Sequence, residues 1–295
     1  MPIDTARYHG WNGPRRSPWL ASVAIVRVGL VQVFRRKAYW VVLLLALTRF
    51  LFFWAIIYGV TQLELPPRMR QGLLERFNFS AEPQPGQTDG YVLFMAGQTI
   101  VVMMLLAFTG SLLVGGDFRQ SALPFYLSRQ IDRRHYIVGK LAAVATIVTL
   151  MTTLPALALF FEYGMFTSSS RYWLENWRVV AGVLVYGGVL AVVLSSVLVS
   201  LSAWLQRTAP IVVAWSSLFV LLRGMRSILA DKDSPYWNLI DLWYDMQVVG
   251  RLAFDKLGNE AERRVAYWAV AVLTGVCILA LTALVHRVRA VEIVR

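Results

Sequence analysis

Apolar residues gather in six long runs along this chain, and the polar residues fall between them. The runs cover residues 39–60, 91–114, 137–161, 179–201, 209–222 and 265–285. A helix needs about 20 apolar residues, at 1.5 Å rise each, to cross the hydrocarbon core of a bilayer. Five runs reach that length. The fifth has an uninterrupted apolar core of roughly 14 residues, so it must draw on the segment toward residue 230, with Arg223 and Arg226 snorkelling outward. Ahead of the first run, residues 19–37 are apolar but carry Arg27, Gln32, Arg35 and Arg36 toward their end, which predicts an interfacial elbow helix leading into the first span. Tyr39, Trp40 and Tyr58 sit where interfacial aromatic belts are expected. Two further helices are predicted between runs. One is amphipathic, over 68–78. The other opens at a Ser234–Pro235 cap and places Trp237, Ile240, Trp243 and Tyr244 on its apolar side. The fold expected is all-α: a polytopic membrane protein with six transmembrane helices. It divides into an N-terminal segment, 1–38, and a six-helix domain, 39–295.

Composition agrees. Apolar residues make up 57% of the chain and charged residues 16%, with a mean hydropathy of +0.55, whereas a soluble domain carries about 25% charged residues. The first 18 residues hold Arg7, Arg15 and Arg16 without an apolar stretch, so the first span is expected to act as its own insertion signal. The single cysteine, Cys277, lies inside the last run and reads as a small core hydrophobe. The net charge of +12 is unevenly placed. Residues 1–38, 115–140, 204–208 and 286–295 hold 16 Lys/Arg and 4 Asp/Glu, whereas 61–90, 162–178 and 223–264 hold 12 and 13. The first set is therefore expected on the cytoplasmic side of the cell (inner) membrane, with both termini inside and anionic lipid headgroups as the basic residues' partners. Nucleic acid is not needed to explain the charge. On these boundaries no acid lies within a span.

Enzyme motifs are absent. Gly139–Lys140 is followed by Leu141 and lacks the upstream glycine of a phosphate-binding loop. His9, His135 and His286 have no metal-ligand spacing, and no G-x-S-x-G elbow occurs. Neither catalysis nor a cofactor is expected in this chain.

The strongest signal is the polar, basic island at 115–140, GGDFRQSALPFYLSRQIDRRHYIVGK. Ser121 can cap a short helix whose first turn tolerates Pro124, and Leu123, Tyr126 and Leu127 then share one face. Apolar side chains framed by Arg119 and Arg129 suit a docking element, the knob filling a groove and the rim matching charge.

The island's wording resembles the first cytoplasmic loop of type-2 ABC transporter permeases, the membrane subunits of type V-like exporters. Asp117, Arg119, Leu123, Tyr126, Leu127, Ser128, Arg129, Arg133, Tyr136, Gly139 and Lys140 match that loop, while Gln130 stands where a proline often follows S-R. The resemblance implies a short cytoplasmic coupling helix that docks on a separate ATPase subunit. The candidate coupling residues are Asp117, Arg119, Leu123, Phe125, Tyr126, Leu127, Ser128, Arg129, Arg133 and Arg134, with Gln206 and Arg207 of the second inner turn as a minor contact. It further implies a homodimer or heterodimer of permeases on two ATPase subunits, which hold the ATP and Mg, and movement of substrate through the cleft between the permeases. A mechanical homologue, passing ATPase strokes to an extracytoplasmic accessory protein without transport, is the alternative. A stand-alone secondary transporter lacks an evident acidic relay.

Arg49 falls mid-way along the first run, where an unpaired charge costs about 2.5–3.5 kcal/mol on insertion scales. It reads either as a basic group facing the cleft, ready for an anionic substrate or lipid phosphate, or as an arginine bonded to backbone carbonyls or snorkelling from a shifted span. Gly187, Ala191 and Ser195, with Gly188 and Ser196 beside them, make a small-residue ridge suited to close helix packing, within the subunit ahead of a dimer interface.

Overall fold

In the computed structural model, residues 18–77, 89–120, 132–166, 170–229 and 235–292 are described, and within them the chain is all-α. Six helices are long and apolar enough to cross a membrane: Tyr39–Gln62, Gly90–Arg119, Arg133–Phe166, Trp177–Leu205, Thr208–Leu229 and Glu260–Val288, here spans 1 to 6. The fifth attains its length by continuing through Arg223 and Arg226, as its short apolar core requires. Spans 2, 3 and 4 form the core: 72% of span 4's most apolar window is buried, against 17% for spans 5 and 6. The outer spans thus present most of their apolar surface outward, as lipid-facing helices do.

Prolines punctuate the spans where a missing N–H is tolerated. Pro210 lies in the first turn of span 5. Pro155 lies in the first turn of Thr153–Phe166, so span 3 breaks at Thr152 and restarts. That break brings Thr153 against Gly187 of span 4, where a Cβ would lie 2.0 Å from the threonine hydroxyl. Gly187, Ala191 and Ser195 are buried within this one chain, the packing expected of the ridge.

Two ends of the bundle differ. The end bearing the 62–89, 166–177 and 229–260 connections is called the crown, and the end with the 119–133 and 205–208 connections the base. The crown carries the expected amphipathic helix, Pro67–Phe77, whose Phe77 ring packs on Phe52 and Phe53. It also carries a short helix, Ser170–Glu175, and a helix Leu242–Ala253 packed on spans 4 and 6. The expected helix opening at Ser234–Pro235 is corrected: Pro235–Ile240 is a 3-10 helix, and the α-helix begins only after Asp241. Asp241 is the cap, its carboxylate accepting from the Trp243 N–H at 3.0 Å. Ser234 lies outside the described residues.

The elbow helix, Pro18–Phe34, runs beside the first turns of span 3 in the same sense: Ser22 Oγ donates to the His135 carbonyl, Ile25 meets Gly139, and Gly29 meets Ala143. Trp40 Nε1 donates to the Phe34 carbonyl at 2.9 Å and clips the elbow's end to span 1, while Tyr39 Oη donates to Phe108 O of span 2. These two aromatics therefore hold helix ends together.

The expectation that no acid lies within a span is also corrected. Span 2 runs on through Asp117, span 3 through Glu162, and span 6 includes Glu260 and Glu262. Helical backbone outlasts each apolar run because the flanking polar residues find partners or reach a helix end. Glu162 is the exception: it is buried, with neither carboxylate oxygen hydrogen-bonded, one turn from the crown end of its helix.

Candidate functional site

The base gathers the ends of four spans. Span 2 descends through a π-helical segment, Ser111–Gly115, and finishes with Gly116–Arg119. Such segments arise where an extra residue is inserted into a helical turn, often at functional sites. Gly115 packs directly on the connection between spans 4 and 5, where any Cβ would lie 2.5 Å from the Gln206 carbonyl oxygen. That connection is two residues long. Gln206 takes a left-handed conformation, φ 55°, and its N–H closes span 4 on the Ser202 carbonyl. Arg207 is extended and precedes span 5. Ser111 Oγ and Thr208 Oγ1 share a hydrogen bond of 2.8 Å, joining spans 2 and 5 at the same level.

Asp117 joins spans 2 and 3. Its Oδ2 is 2.7 Å from Lys140 Nζ and accepts from Tyr136 Oη at 2.9 Å. Lys140 also donates to the Leu113 carbonyl, within the π-helical segment. The lysine is buried, and Tyr136 almost fully so. Three residues of the island are therefore a staple between the two helix ends that flank residues 120–132. Asp117 is committed inward, leaving Arg119, Arg134 and Arg207 exposed at the base. Arg133 is half-buried and has a partner of its own. Leu123, Phe125, Tyr126, Leu127, Ser128 and Arg129 lie outside the described residues.

Arg49 lies mid-way along span 1 and reaches the crown half of span 2. The two helices are antiparallel, with Gln98 Nε2 donating to Ala46 O at 3.2 Å and Arg49 Nη2 donating to Leu93 O at 3.1 Å. The guanidinium rests on Gly97, where a Cβ would lie 1.9 Å from Nη2, and within 5.2 Å of the Phe53 ring. Its Nε is buried without a hydrogen-bond partner. The site is a carbonyl-bonded bridge between spans that leaves donors unused.

One crown cluster was missed in the sequence. Arg226 Nε donates to Asn238 Oδ1 at 2.8 Å, its Nη1 lies 3.5 Å from Asp241 Oδ2, and its guanidinium stacks 4.0 Å over the Tyr244 ring. The predicted snorkelling arginine is thus bound to the crown. Asp245, fully buried one turn after Asp241, has no hydrogen-bond partner for either carboxylate oxygen. Burial, and then the Asp241 carboxylate, push its pKa up to about 8, with Arg226 offsetting part of the rise. The i, i+4 spacing of two acids was the available signal, obscured by the aromatics around it. Compared with known families and curated proteins, the chain matches no family model and no curated sequence.

Proposed function

We propose that this chain is the permease subunit of an ATP-driven ABC transporter in the cell membrane, docking separate ATPase subunits at its base and moving substrate through a cleft between two permease subunits. The observation that supports it best is the construction of the base. The Asp117–Lys140–Tyr136 staple and the Gly115–Gln206 contact bind the ends of spans 2, 3, 4 and 5 into one platform around residues 120–132. A push on that segment would reach four spans at once, because packed helices transmit displacement rather than absorb it. Exposed Arg119, Arg134 and Arg207 would supply the charge complementarity that steers docking. Nucleotide and Mg would belong to the partner. Arg49, with unused donors, is the group an anionic substrate in the cleft would meet.

One feature favours the alternative, in which the stroke passes to an extracytoplasmic partner. The crown helix Leu242–Ala253 is fixed to span 5 through Arg226 and packed on spans 4 and 6, so movement of the spans would move the crown.

Affinity purification from the native membrane tests docking under either reading. The parent should bring down an ATP-hydrolysing subunit, and a Tyr126→Asp/Leu127→Asp variant should insert equally well but lose it. A full complement of ATPase on that variant, or none on the parent, overturns the proposal.

A further inference from the structure

Spans 2 and 5 meet at Trp215, whose indole N–H donates to Met103 O at 3.0 Å. A groove of about 350 Å³ flanks that contact near mid-span, with Arg223 toward its crown end. Met104 and Ala107 contribute to one wall and Phe219 to the other. Trp243 of the crown helix also lines the groove, as does Arg223 of span 5. Arg223 is exposed, and among the described residues it has neither an ion-pair nor a hydrogen-bond partner. Its neighbour one turn on, Arg226, is spent on Asn238, Asp241 and the Tyr244 ring, so Asp241 is already engaged by another arginine. An uncommitted guanidinium on the wall of a groove whose other lining is apolar but for Ser216, in a helix long and apolar enough to cross a membrane, is complementary to an anionic amphiphile. The fork of N–H donors matches a phosphate, and the methionine and aromatic walls match an alkyl chain.

We infer that this groove seats one acyl chain of an anionic membrane phospholipid, with its phosphate against Arg223. The site does not depend on the permease reading: its occupancy is read with no ATPase present, so either can fail alone. The full chain is reconstituted in nanodiscs of phosphatidylglycerol and phosphatidylcholine at equal mole fraction, extracted gently, and its retained lipid counted by native mass spectrometry. The parent should retain phosphatidylglycerol about tenfold over phosphatidylcholine, the size of one charge-assisted hydrogen bond. Arg223→Gln should abolish the preference, Arg223→Lys should keep most of it, and Met104→Trp, filling the groove, should lower retention of both lipids. A phosphatidylglycerol with a photoreactive chain should label peptides containing Met104 or Phe219 on the parent, which serves as the readout should Arg223→Gln fail to fold. Equal retention of the two lipids by the parent overturns the inference, as does an Arg223→Gln variant that folds and keeps the preference. So do labelling confined to other spans, displacement of the lipid by millimolar inorganic phosphate, and a groove found closed by a second copy of the chain.

Discussion

A carboxyl group without exposed surface or a hydrogen-bond partner is tolerated by holding its proton, and Asp245 is in that position. With its folded pKa raised to about 8 against an ordinary carboxylate in the unfolded chain, the folded state binds the extra proton between about pH 4 and pH 8. Stability must therefore fall as pH rises through that window and level off above it. Thermal unfolding in detergent at pH 5.5, 7.0 and 8.5 should show the parent losing stability steadily. Asp245→Asn, which keeps the shape without the charge, should flatten that loss and be the more stable protein at pH 8.5. An unchanged pH profile in the variant would assign the loss to other groups. Asp245 was obscured in the sequence, because Trp237, Ile240, Trp243 and Tyr244 suggested an apolar face without saying where the acids point. The structure buries Trp243 and Asp245 together and leaves Trp237 half-exposed. Arg49 shows the opposite balance. Its conflict with an apolar span was plain, but its partner is the Leu93 carbonyl, and side-chain patterns carry no record of backbone acceptors.

The apolar runs located every span, five by reaching the roughly 20 residues a bilayer crossing needs and span 5 by drawing on the segment that follows its shorter core. Their ends were less legible. Spans 2 and 3 together take in Asp117, Arg119, Arg133, Arg134 and Glu162, which the pattern had assigned to loops. Helices continue past their apolar cores when the next charges can neutralise one another, and here Asp117 and Lys140 do so across 23 residues of sequence. That pairing is testable as an element-to-element bond. Lys140→Met leaves the Asp117 carboxylate with Tyr136 but no cation, a loss of about 3 kcal/mol for a largely buried pair. The double variant Asp117→Leu/Lys140→Met, which removes both charges, should recover most of that loss in thermal unfolding. Additive losses in the double variant would mean that the two side chains do not act as a pair. The break at Thr152 was legible in principle from Pro155. The π-helical segments Ser111–Gly115 and Ser217–Leu221 were not, because an extra residue in a turn leaves no periodic trace in a uniformly apolar run.

On the scale of the whole molecule, base and crown lie at opposite ends of six spans, so they face opposite sides of the membrane. The Lys/Arg surplus of the base connections and termini is the ground for proposing that the base faces the cytoplasm, an orientation the docking proposal also requires, since ATP is held there. Single cysteines in a Cys277→Ser background can decide this. Serine keeps the hydrogen bond that Ser196 Oγ gives Cys277 Sγ at 3.4 Å. Gly72 and Gly258 are apt crown positions: both are exposed, and a Cβ at either meets nothing within 4 Å. Arg134 is exposed at the base, and position 130 lies in the island. A membrane-impermeant maleimide should label Gly72→Cys and Gly258→Cys in intact cells, and Gln130→Cys and Arg134→Cys only after permeabilisation. The reverse pattern would invert the molecule and remove the docking proposal, because the platform of spans 2 to 5 would then face away from ATP. Labelling of all four positions from one side would deny that the spans cross at all, against the length and apolarity of the six helices. The expected pattern leaves the staple, the Gln206 turn and the exposed arginines on the side where an ATPase can reach them, and Arg223, at the far end of its groove, toward the opposite leaflet.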